Sequence, residues 1–184
     1  EAVKVGKQYA MLITTSGGLW RYKIGDTVEF SSVNPYLFKL TGRTKQFINA
    51  FGEELIVENA DKAIQEICSK TGAKVTEYTV APIYFSETHN GAHEWLIEFE
   101  TEPKDLKEFT HLLDESLKRL NSDYEAKRSY NLSLDAPIVR LIEKDVFYNW
   151  MQQREKIGGQ NKVPKLANDR RYVNSILEFV SNKS

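Results

Sequence analysis

Hydrophobic positions in residues 1–40 fall in short runs between turn residues, a pattern typical of β-strands. The runs YAMLITTS, GLWRYKIGD, TVEF and YLFKL are rich in β-branched and aromatic residues and are separated by glycine, proline and asparagine. These punctuating residues predict turns at Ser16–Gly18, Gly25–Asp26 and Asn34–Pro35. The segment is therefore predicted to be a strand meander without helices.

A helical period begins after Gly52, where apolar residues recur at intervals of three and four positions. This spacing predicts a first helix ending at Thr71–Gly72 and a second beginning at Pro103–Asp105. Between them, VTEYTVAPIYFS and HEWLIEFETE are predicted to pair antiparallel around the loop 87–91. PIVRLIEK is a further predicted strand, and VFYNWMQQREKI and residues 169–180 are predicted helices.

The pattern predicts an α+β chain whose architecture changes near residue 42. Residues 1–42 are expected to form a β-rich segment. Residues 43–184 are expected to form a small mixed α/β domain with an antiparallel sheet and flanking helices. Gly52 is expected to start the first helical stretch of that domain.

Composition is typical of a folded globular chain, with 184 residues of which 41% are hydrophobic and 28% charged. The formal net charge of -1 provides no global attraction to nucleic acid or to an anionic membrane, so neither is an expected partner. The single cysteine, Cys68, cannot form an internal disulfide, which favours a reducing, cytoplasmic setting. The sequence shows no signal-peptide pattern and no long apolar run, and because it starts at Glu1 rather than Met we expect a longer parent chain.

Each candidate site residue has an ordinary explanation when it is taken alone. Asp26 can accept hydrogen bonds from the vicinal hydroxyls of a ribose, or it can cap its own turn. Arg43 follows a glycine and can bind phosphate through its planar fork, or form an exposed salt bridge. Lys162, in the loop GGQNKVPKL, can approach a phosphate or carboxylate, or simply be a surface cation. Trp20 and Tyr22 can flank a ligand or serve in packing.

Other polar residues are interpreted as structural. The three histidines have neither metal-ligand spacing nor cysteine partners, so the sequence predicts no zinc site and no Cys–His nucleophile. Cys68 falls on the apolar face of a predicted helix and is assigned to the core. Glu94, Glu98 and Glu100 share one face of a predicted strand, which is interpreted as a solvated face rather than a general acid pair.

Three segments become more specific when they are taken in order. YKIGD at 22–26, GRTKQFINAFG at 42–52 and GQNKVP at 159–164 resemble the C-terminal signature series of the acyl-adenylate-forming enzymes. The longer forms GLWRYKIGDTV, GRTKQFINAFGEELIVENADKAI and GGQNKVPKL resemble the auxin-responsive Gretchen Hagen family of acyl-acid amido synthetases, and its bacterial members most. The resemblance covers nearly the whole chain.

The resemblance implies a nucleotide site. Asp26 matches the family aspartate that holds the ribose hydroxyls of ATP or of the acyl-adenylate. Arg43 matches the arginine that joins it at the ribose and phosphate, and Tyr22 is expected beside the nucleotide. ATP and Mg²⁺ are the implied cofactors, although no carboxylate of this chain is assigned to the metal.

The resemblance also implies a moving lysine. Residues 1–42 match the tail of the large adenylation domain, and residues 43–184 match a cap that rotates about Lys45 between adenylation and transfer. Lys162 matches the mobile lysine that reaches the α-phosphate and carboxylate during adenylation. Lys165 is the competing assignment for that lysine.

The implied reaction is ATP-dependent activation of a carboxylic acid as an acyl-adenylate, followed by transfer of the acyl group to an amine, expected to be an amino acid. The family's large N-terminal domain, with its phosphate loop and acid pocket, is absent from this sequence and is the expected partner within the parent chain. The present residues alone are therefore expected to be inactive. Two alternatives stay open: a non-catalytic binding module on the same scaffold, and thiol acylation as in the related acyl-CoA ligases.

Overall fold

The structure is a computed structural model that describes most of the chain, namely residues 3–43, 47–87, 90–129, 134–154 and 163–182. The chain divides into two compact units, Glu1–Gln46 and Phe47–Ser184. The first unit contains strands alone in its described residues, and the second contains helices and strands. The predicted α+β class, with a β-rich N-terminal segment, is confirmed.

The first unit is a three-stranded antiparallel meander in the order β1-β2-β3. Its strands are β1 (Gln8–Ile13), β2 (Tyr22–Val33) and β3 (Tyr36–Arg43). The turns predicted at Ser16–Gly18 and at Asn34–Pro35 are both present, the latter with a cis peptide bond.

The turn predicted at Gly25–Asp26 is wrong, because β2 runs straight through these residues. Along β1, the pairing with β2 shifts between Ala10, which faces Thr27, and Leu12, which faces Lys23. The bend that the glycine allows is therefore used in a β-bulge within the strand instead of ending it.

The second unit starts with a two-stranded hairpin and continues with a three-stranded sheet in the order β6-β7-β8. Its strands are β4 (Phe47–Ile48), β5 (Leu55–Ile56), β6 (Lys74–Ile83), β7 (Ala92–Thr101) and β8 (Ile138–Ile142). The antiparallel pairing predicted for β6 and β7 is confirmed. β8 pairs parallel to β7, since helices between the two strands carry the chain back to the starting end of the sheet.

The helices of the second unit have the bounds α1 (Val57–Thr71), α2 (Leu106–Leu120), α3 (Ser122–Arg128), α4 (Val146–Gln153) and α5 (Arg171–Ser181). The predicted end of α1 is confirmed at Gly72, whose φ of 72° is the left-handed conformation that favours glycine at a helix end. The predicted start of α2 is confirmed at Asp105, whose carboxylate accepts from the backbone N–H groups of Lys107 and Glu108.

Gly52 does not start a helix. Its φ of 84° places it in the turn between β4 and β5, and α1 begins only at Val57, after β5. The apolar residues that follow Gly52 serve first as a short strand, because Leu55 and Ile56 pair with Ile48 and Phe47.

The sheet of the second unit has helices against both of its faces, which gives three layers. Trp95, Ile97 and Phe99 of β7 pack with residues of α1 and α2 in one core cluster. Leu96 of β7 packs with residues of α4 and α5 in the other. Alternate residues of one strand thus enter opposite cores. Cys68 packs against the first cluster, as predicted, and burial raises the pKa of its thiol.

The solvated face predicted for β7 is wrong for two of its three glutamates. Glu94 and Glu98 are only 1% and 4% exposed, whereas Glu100 lies in solvent. The reason is that helices distant in sequence cover this face. Glu98 accepts hydrogen bonds from the backbone N–H groups of Asp145 and Phe147, at 3.1 and 3.4 Å, where α4 begins.

Glu94 has two arginine partners. Its two carboxylate oxygens accept separately from the guanidinium groups of Arg140, on β8, and Arg170, next to α5. Burial alone would raise the pKa of this carboxyl, but the hydrogen bonds from the arginines hold it below its ordinary value. Glu94 therefore joins β7, β8 and α5 as a paired buried charge.

Candidate functional site

The first unit brings two of the predicted site residues together. The register of β2 and β3 places Asp26 directly opposite Arg43. Because residues opposite each other in antiparallel strands lie about 5 Å apart, both belong to one end of the hairpin. Asp26 is half-buried, and Tyr22, at the start of β2, is 53% exposed. A carboxylate and an exposed aromatic ring thus occur on the strand that carries the YKIGD motif.

Lys45 and Lys162 lie outside the described residues. Their roles as hinge and as mobile lysine stay predictions. Lys165, the competing assignment, is described, and it belongs to the second unit.

The ammonium of Lys165 is held by two groups. Its Nζ lies 2.6 Å from Oδ1 of Asp61 on α1 and 5.1 Å from the centre of the Tyr78 ring. The Tyr78 hydroxyl donates to the same Oδ1 at 2.6 Å. Burial, and then the hydrogen bond to this carboxylate, raise the pKa of Tyr78 well above its ordinary value, so that the hydroxyl stays a donor.

Residues 163–168, here called the edge segment, lie along the outer edge of β6. The backbone N–H of Val80 donates to the carbonyl of Lys165 at 2.8 Å, and the N–H of Ala167 donates to the carbonyl of Val80 at 3.1 Å. Thr79 Oγ1 donates to the carbonyl of Pro164 at 2.7 Å. The edge segment therefore extends the sheet by a short parallel bridge between Val80 and Leu166.

The side chain of Asn168 fastens the edge segment to the first strand of the unit. Its Oδ1 accepts from the backbone N–H of Asn49 at 2.7 Å, and its Nδ2 donates to the carbonyl of Phe47 at 3.0 Å. Asn168, four residues after the GQNKVP motif, thus connects the edge segment to the middle of the GRTKQFINAFG motif, more than a hundred residues earlier in the sequence.

A buried pair that the sequence did not predict supports the turn after β4. Nε2 of His93 lies 2.8 Å from Oε1 of Glu53, and both side chains are fully buried. The other oxygen of Glu53 accepts from the backbone N–H of Phe51 at 2.7 Å. Burial would raise the pKa of Glu53, but the hydrogen bond and charge of His93 lower it. The pair fixes the turn to β7. The one sign of this role in the sequence is that His93 shares a strand face with the apolar residues Trp95 and Ile97.

Another buried carboxylate, Asp114 on α2, lines an open cavity of about 560 Å³ beside β8. Arg128 donates to both of its oxygens at 2.7 Å, Tyr124 donates at 2.9 Å, and Lys118 lies at 2.9 Å. Burial would raise the pKa of Asp114, and the hydrogen bonds from Arg128, Lys118 and Tyr124 hold it below its ordinary value. The cluster ties α3 to α2 and has no member in the three motifs.

Two kinds of feature are missing from the part of the chain that the structure describes. No three histidine, cysteine, aspartate or glutamate side chains gather there into a group that could hold a metal ion. Nor does any helix within the described ranges combine the length and apolar character needed to cross a bilayer.

Comparison with known families matches both units. The GH3 family central domain matches residues 1–43, and the GH3 family C-terminal domain matches residues 58–171. Among curated proteins, indole-3-acetic acid-amido synthetase GH3.10 of Arabidopsis thaliana is 28% identical over 99% of this chain and 31% of its own length. Indole-3-acetic acid-amido synthetase GH3.3 of the same plant is 26% identical over 89% of the chain and 29% of its length.

The fold has a solved counterpart. The GH3.15 acyl acid amido synthetase superposes with a TM-score of 0.76 at 18% identity, covering 96% of this chain and 33% of that one. The chain thus spans about a third of the length of the relatives it matches. With more than half of its residues matched by one domain of the family, the chain belongs to the GH3 family.

Proposed function

We propose that this chain supplies the nucleotide-binding edge and the lysine-bearing domain of an ATP-dependent acyl-acid amido synthetase. The enzyme activates a carboxylic acid as an acyl-adenylate and transfers the acyl group to the amine of an amino acid. Relatives named as indole-3-acetic acid-amido synthetases support this reaction, as does a solved relative described in complex with 2,4-DB. The observation that carries the proposal is the register that pairs Asp26 with Arg43.

The β2–β3 hairpin would bind the nucleotide. A carboxylate has two acceptor oxygens, and vicinal ribose hydroxyls offer two donors at matching spacing, so Asp26 holds the ribose of ATP. Arg43, opposite it in the register, supplies a permanent positive charge for the ribose and phosphate oxygens. The exposed ring of Tyr22 provides an apolar surface beside them.

Lys162 would supply the cation for adenylation. Forming the mixed anhydride brings a carboxylate against a polyphosphate, and a positive charge between them stabilises the transition state. In the second step, transfer of the acyl group, the amine must occupy the position that the cation held. A lysine on a separate unit that rotates about Lys45 serves both steps, with residues 1–42 belonging to the large adenylation domain and 43–184 forming the cap.

The cofactors fit this chain unequally. ATP fits the donor and acceptor set of Asp26 and Arg43. Mg²⁺ commonly binds through substrate phosphates with one or two carboxylates. No three histidine, cysteine, aspartate or glutamate side chains gather among the described residues, and no single carboxylate of this chain is assigned to the metal, so no step here is assigned to it. A cytoplasmic location, expected from the single cysteine, is part of the proposal.

Acid-dependent exchange of pyrophosphate into ATP tests the proposal in the intact enzyme that contains this chain. We expect exchange that requires a carboxylic acid, with indole-3-acetate and 2,4-DB as first acids, and consumption of the adenylate by an amino acid. Asp26→Ala should lower kcat/KM for ATP by about tenfold to a hundredfold, because hydrogen bonds to charged groups contribute about 1.5–3 kcal/mol each.

Glu29→Gln is the matched control, since Glu29 lies on the same strand and pairs with Lys39 at 3.1 Å without belonging to the motif. Its exchange rate should stay close to that of the parent. Absence of acid-dependent exchange would contradict the proposal and favour a binding module. Consumption of the adenylate by coenzyme A but not by any amino acid would assign thiol acylation instead.

A further inference from the structure

We propose that Lys165 is a positioning residue, held by Asp61 and Tyr78, that fixes the point from which Lys162 acts. This inference rests on the proposed function. It separates two lysines that the sequence leaves as competing candidates for one role. Its basis is the set of contacts around Lys165, which lies in the described part of the second unit.

The contacts of Lys165 occupy both its side chain and its backbone. The ammonium has Asp61 as its ionic partner and the Tyr78 ring beneath it, and the backbone carbonyl accepts from Val80. To serve as the adenylating cation, the Lys165 ammonium would have to leave both Asp61 on α1 and the Tyr78 ring on β6. Such a movement breaks contacts on α1 and β6 together, so a reacting role does not suit this residue.

The ion pair matters for geometry more than for stability. The side chains of Lys165 and Asp61 are 34% and 46% exposed, and exposed pairs contribute little free energy of folding. Tyr78, in contrast, is 3% exposed and stacks on Trp95, with ring centres 5.5 Å apart. Because the Tyr78 hydroxyl holds the same carboxylate oxygen, Asp61 transmits the position of the rigid core to Lys165.

The edge segment is fixed at three further points. Val163 is buried in the core cluster of α4 and α5, Thr79 holds the carbonyl of Pro164, and Asn168 holds the backbone near β4. Lys162 precedes Val163 directly, and consecutive Cα atoms are about 3.8 Å apart. Any shift of the edge segment therefore shifts the origin of the Lys162 side chain, and misplacement by about 1 Å can lower a rate a hundredfold.

The test compares Asp61→Asn with Glu58→Gln in the intact enzyme. Both changes remove a carboxylate of α1 that pairs with a lysine, but Glu58 pairs with Lys62 on the helix surface at 2.8 Å. We expect Asp61→Asn to lower kcat for acid-dependent pyrophosphate exchange by about tenfold while KM for ATP and acid stays within about twofold. It should also accelerate amide hydrogen exchange at Ala167 by about tenfold. Glu58→Gln should change neither quantity.

A pair of Lys165 variants separates positioning from reaction. Lys165→Arg keeps a cation for Asp61 and should retain most of the exchange activity. Lys165→Asp alone should lower the rate of pyrophosphate exchange. Adding Asp61→Lys to it should restore at least part of that rate, because the ion pair is rebuilt with reversed charges. A reacting lysine would tolerate neither arginine nor the reversal, so loss of activity in both Lys165→Arg and the double variant overturns the inference.

The hydrogen-exchange readout keeps the inference distinct from the proposed function. If amide hydrogen exchange at Ala167 is unchanged in Asp61→Asn, Asp61 does not anchor the edge segment, whatever the enzymatic activity shows. Faster amide hydrogen exchange at Ala167 together with an unchanged kcat for pyrophosphate exchange overturns the positioning role. If the parent enzyme lacks acid-dependent pyrophosphate exchange, the proposed function fails and the positioning of Lys162 fails with it, while hydrogen exchange still reports whether Asp61 anchors the edge segment.

Discussion

The two units differ most in how they bury apolar surface. The second unit encloses two core clusters, one on each face of its sheet. Among the side chains of the first unit whose burial the structure describes, which leave out residues 1–2, 23–25 and 42–46, Val28 is the only buried hydrophobic one. Large apolar side chains of that unit lie in solvent instead, among them Leu12, Leu19, Trp20, Tyr22, Tyr36, Leu37, Phe38 and Leu40.

An exposed apolar sheet of this extent is unusual for a domain that is stable by itself. The second unit buries most of its large hydrophobic side chains within itself, and the first unit leaves most of its own in solvent. This contrast agrees with the match of residues 1–43 to a central domain whose relatives are about three times as long as this chain. It supports the proposal that the first unit belongs to a larger adenylation domain and the second is a separate cap.

Two tryptophans, one in each unit, give the largest expected difference in the free energy of unfolding. Trp95, on β7, is 0% exposed, and Trp20, before β2, is 79% exposed. Trp95→Ala should lower the free energy of unfolding by about 3–5 kcal/mol through lost burial and the cavity left behind. Trp20→Ala should change it by less than about 0.5 kcal/mol. Urea denaturation followed by circular dichroism measures both, and similar losses would contradict the assignment of stability to the second unit.

Acid sensitivity should also come from the second unit. The pKa of Asp114 is held below its ordinary value of 3.8, so its contribution is present above that pH and is lost as the pH falls through the lower folded value. Arg128→Met removes a partner from this buried carboxylate and should cost about 3 kcal/mol at neutral pH.

Asp114→Asn provides the check on this mechanism. As the pH falls below about 4, the stability of the parent should decrease more steeply than that of the variant, because the variant has no carboxylate to protonate at this position. Urea denaturation across that range measures the two slopes. Equal slopes would show that Asp114 does not titrate at a lowered pKa in the folded chain.

Two glycines, one in each unit, give a smaller expected difference in the free energy of unfolding. A Cβ at Gly91 would lie 2.4 Å from the Phe51 ring, whereas a Cβ at Gly17 would have its nearest neighbour, Thr15 Oγ1, at 3.7 Å. Gly91→Ala should destabilise by about 1–3 kcal/mol because the ring, packed on His93, must move. Gly17→Ala should be nearly neutral. A neutral Gly91→Ala in the same denaturation assay would show that the turn after β4 is loosely packed.

Local signals in the sequence predicted the ends of the helices and the antiparallel pair. Gly72 and Asp105 have the backbone and side chain that end and begin a helix. The predictions at Gly25 and Gly52 were wrong because a glycine permits a bend without specifying whether it becomes a bulge, a turn or a helix start. Strand pairing, which lies outside the local window, decided both.

The contacts around the site depend on distant parts of the chain, and a single sequence does not reveal them. The exposure of Glu94 was mispredicted because α5, far along the chain, covers β7. Likewise, nothing near Lys165 marks Asp61 as its partner, since 104 residues separate them. The motif order proposes Asp26 and Arg43 as site residues, and the register of β2 and β3 adds that the two are neighbours.

The most direct test of the central claim separates the two half-reactions in Lys162→Ala of the intact enzyme. Acid-dependent pyrophosphate exchange measures adenylation, and aminolysis of a supplied acyl-adenylate measures transfer. We expect adenylation to fall by about a hundredfold or more, since one group that stabilises transition-state charge is removed, while transfer stays within about threefold of the parent. Adenylation near the parent rate, or an equal fall in both half-reactions, would contradict the assignment of this lysine to adenylation alone.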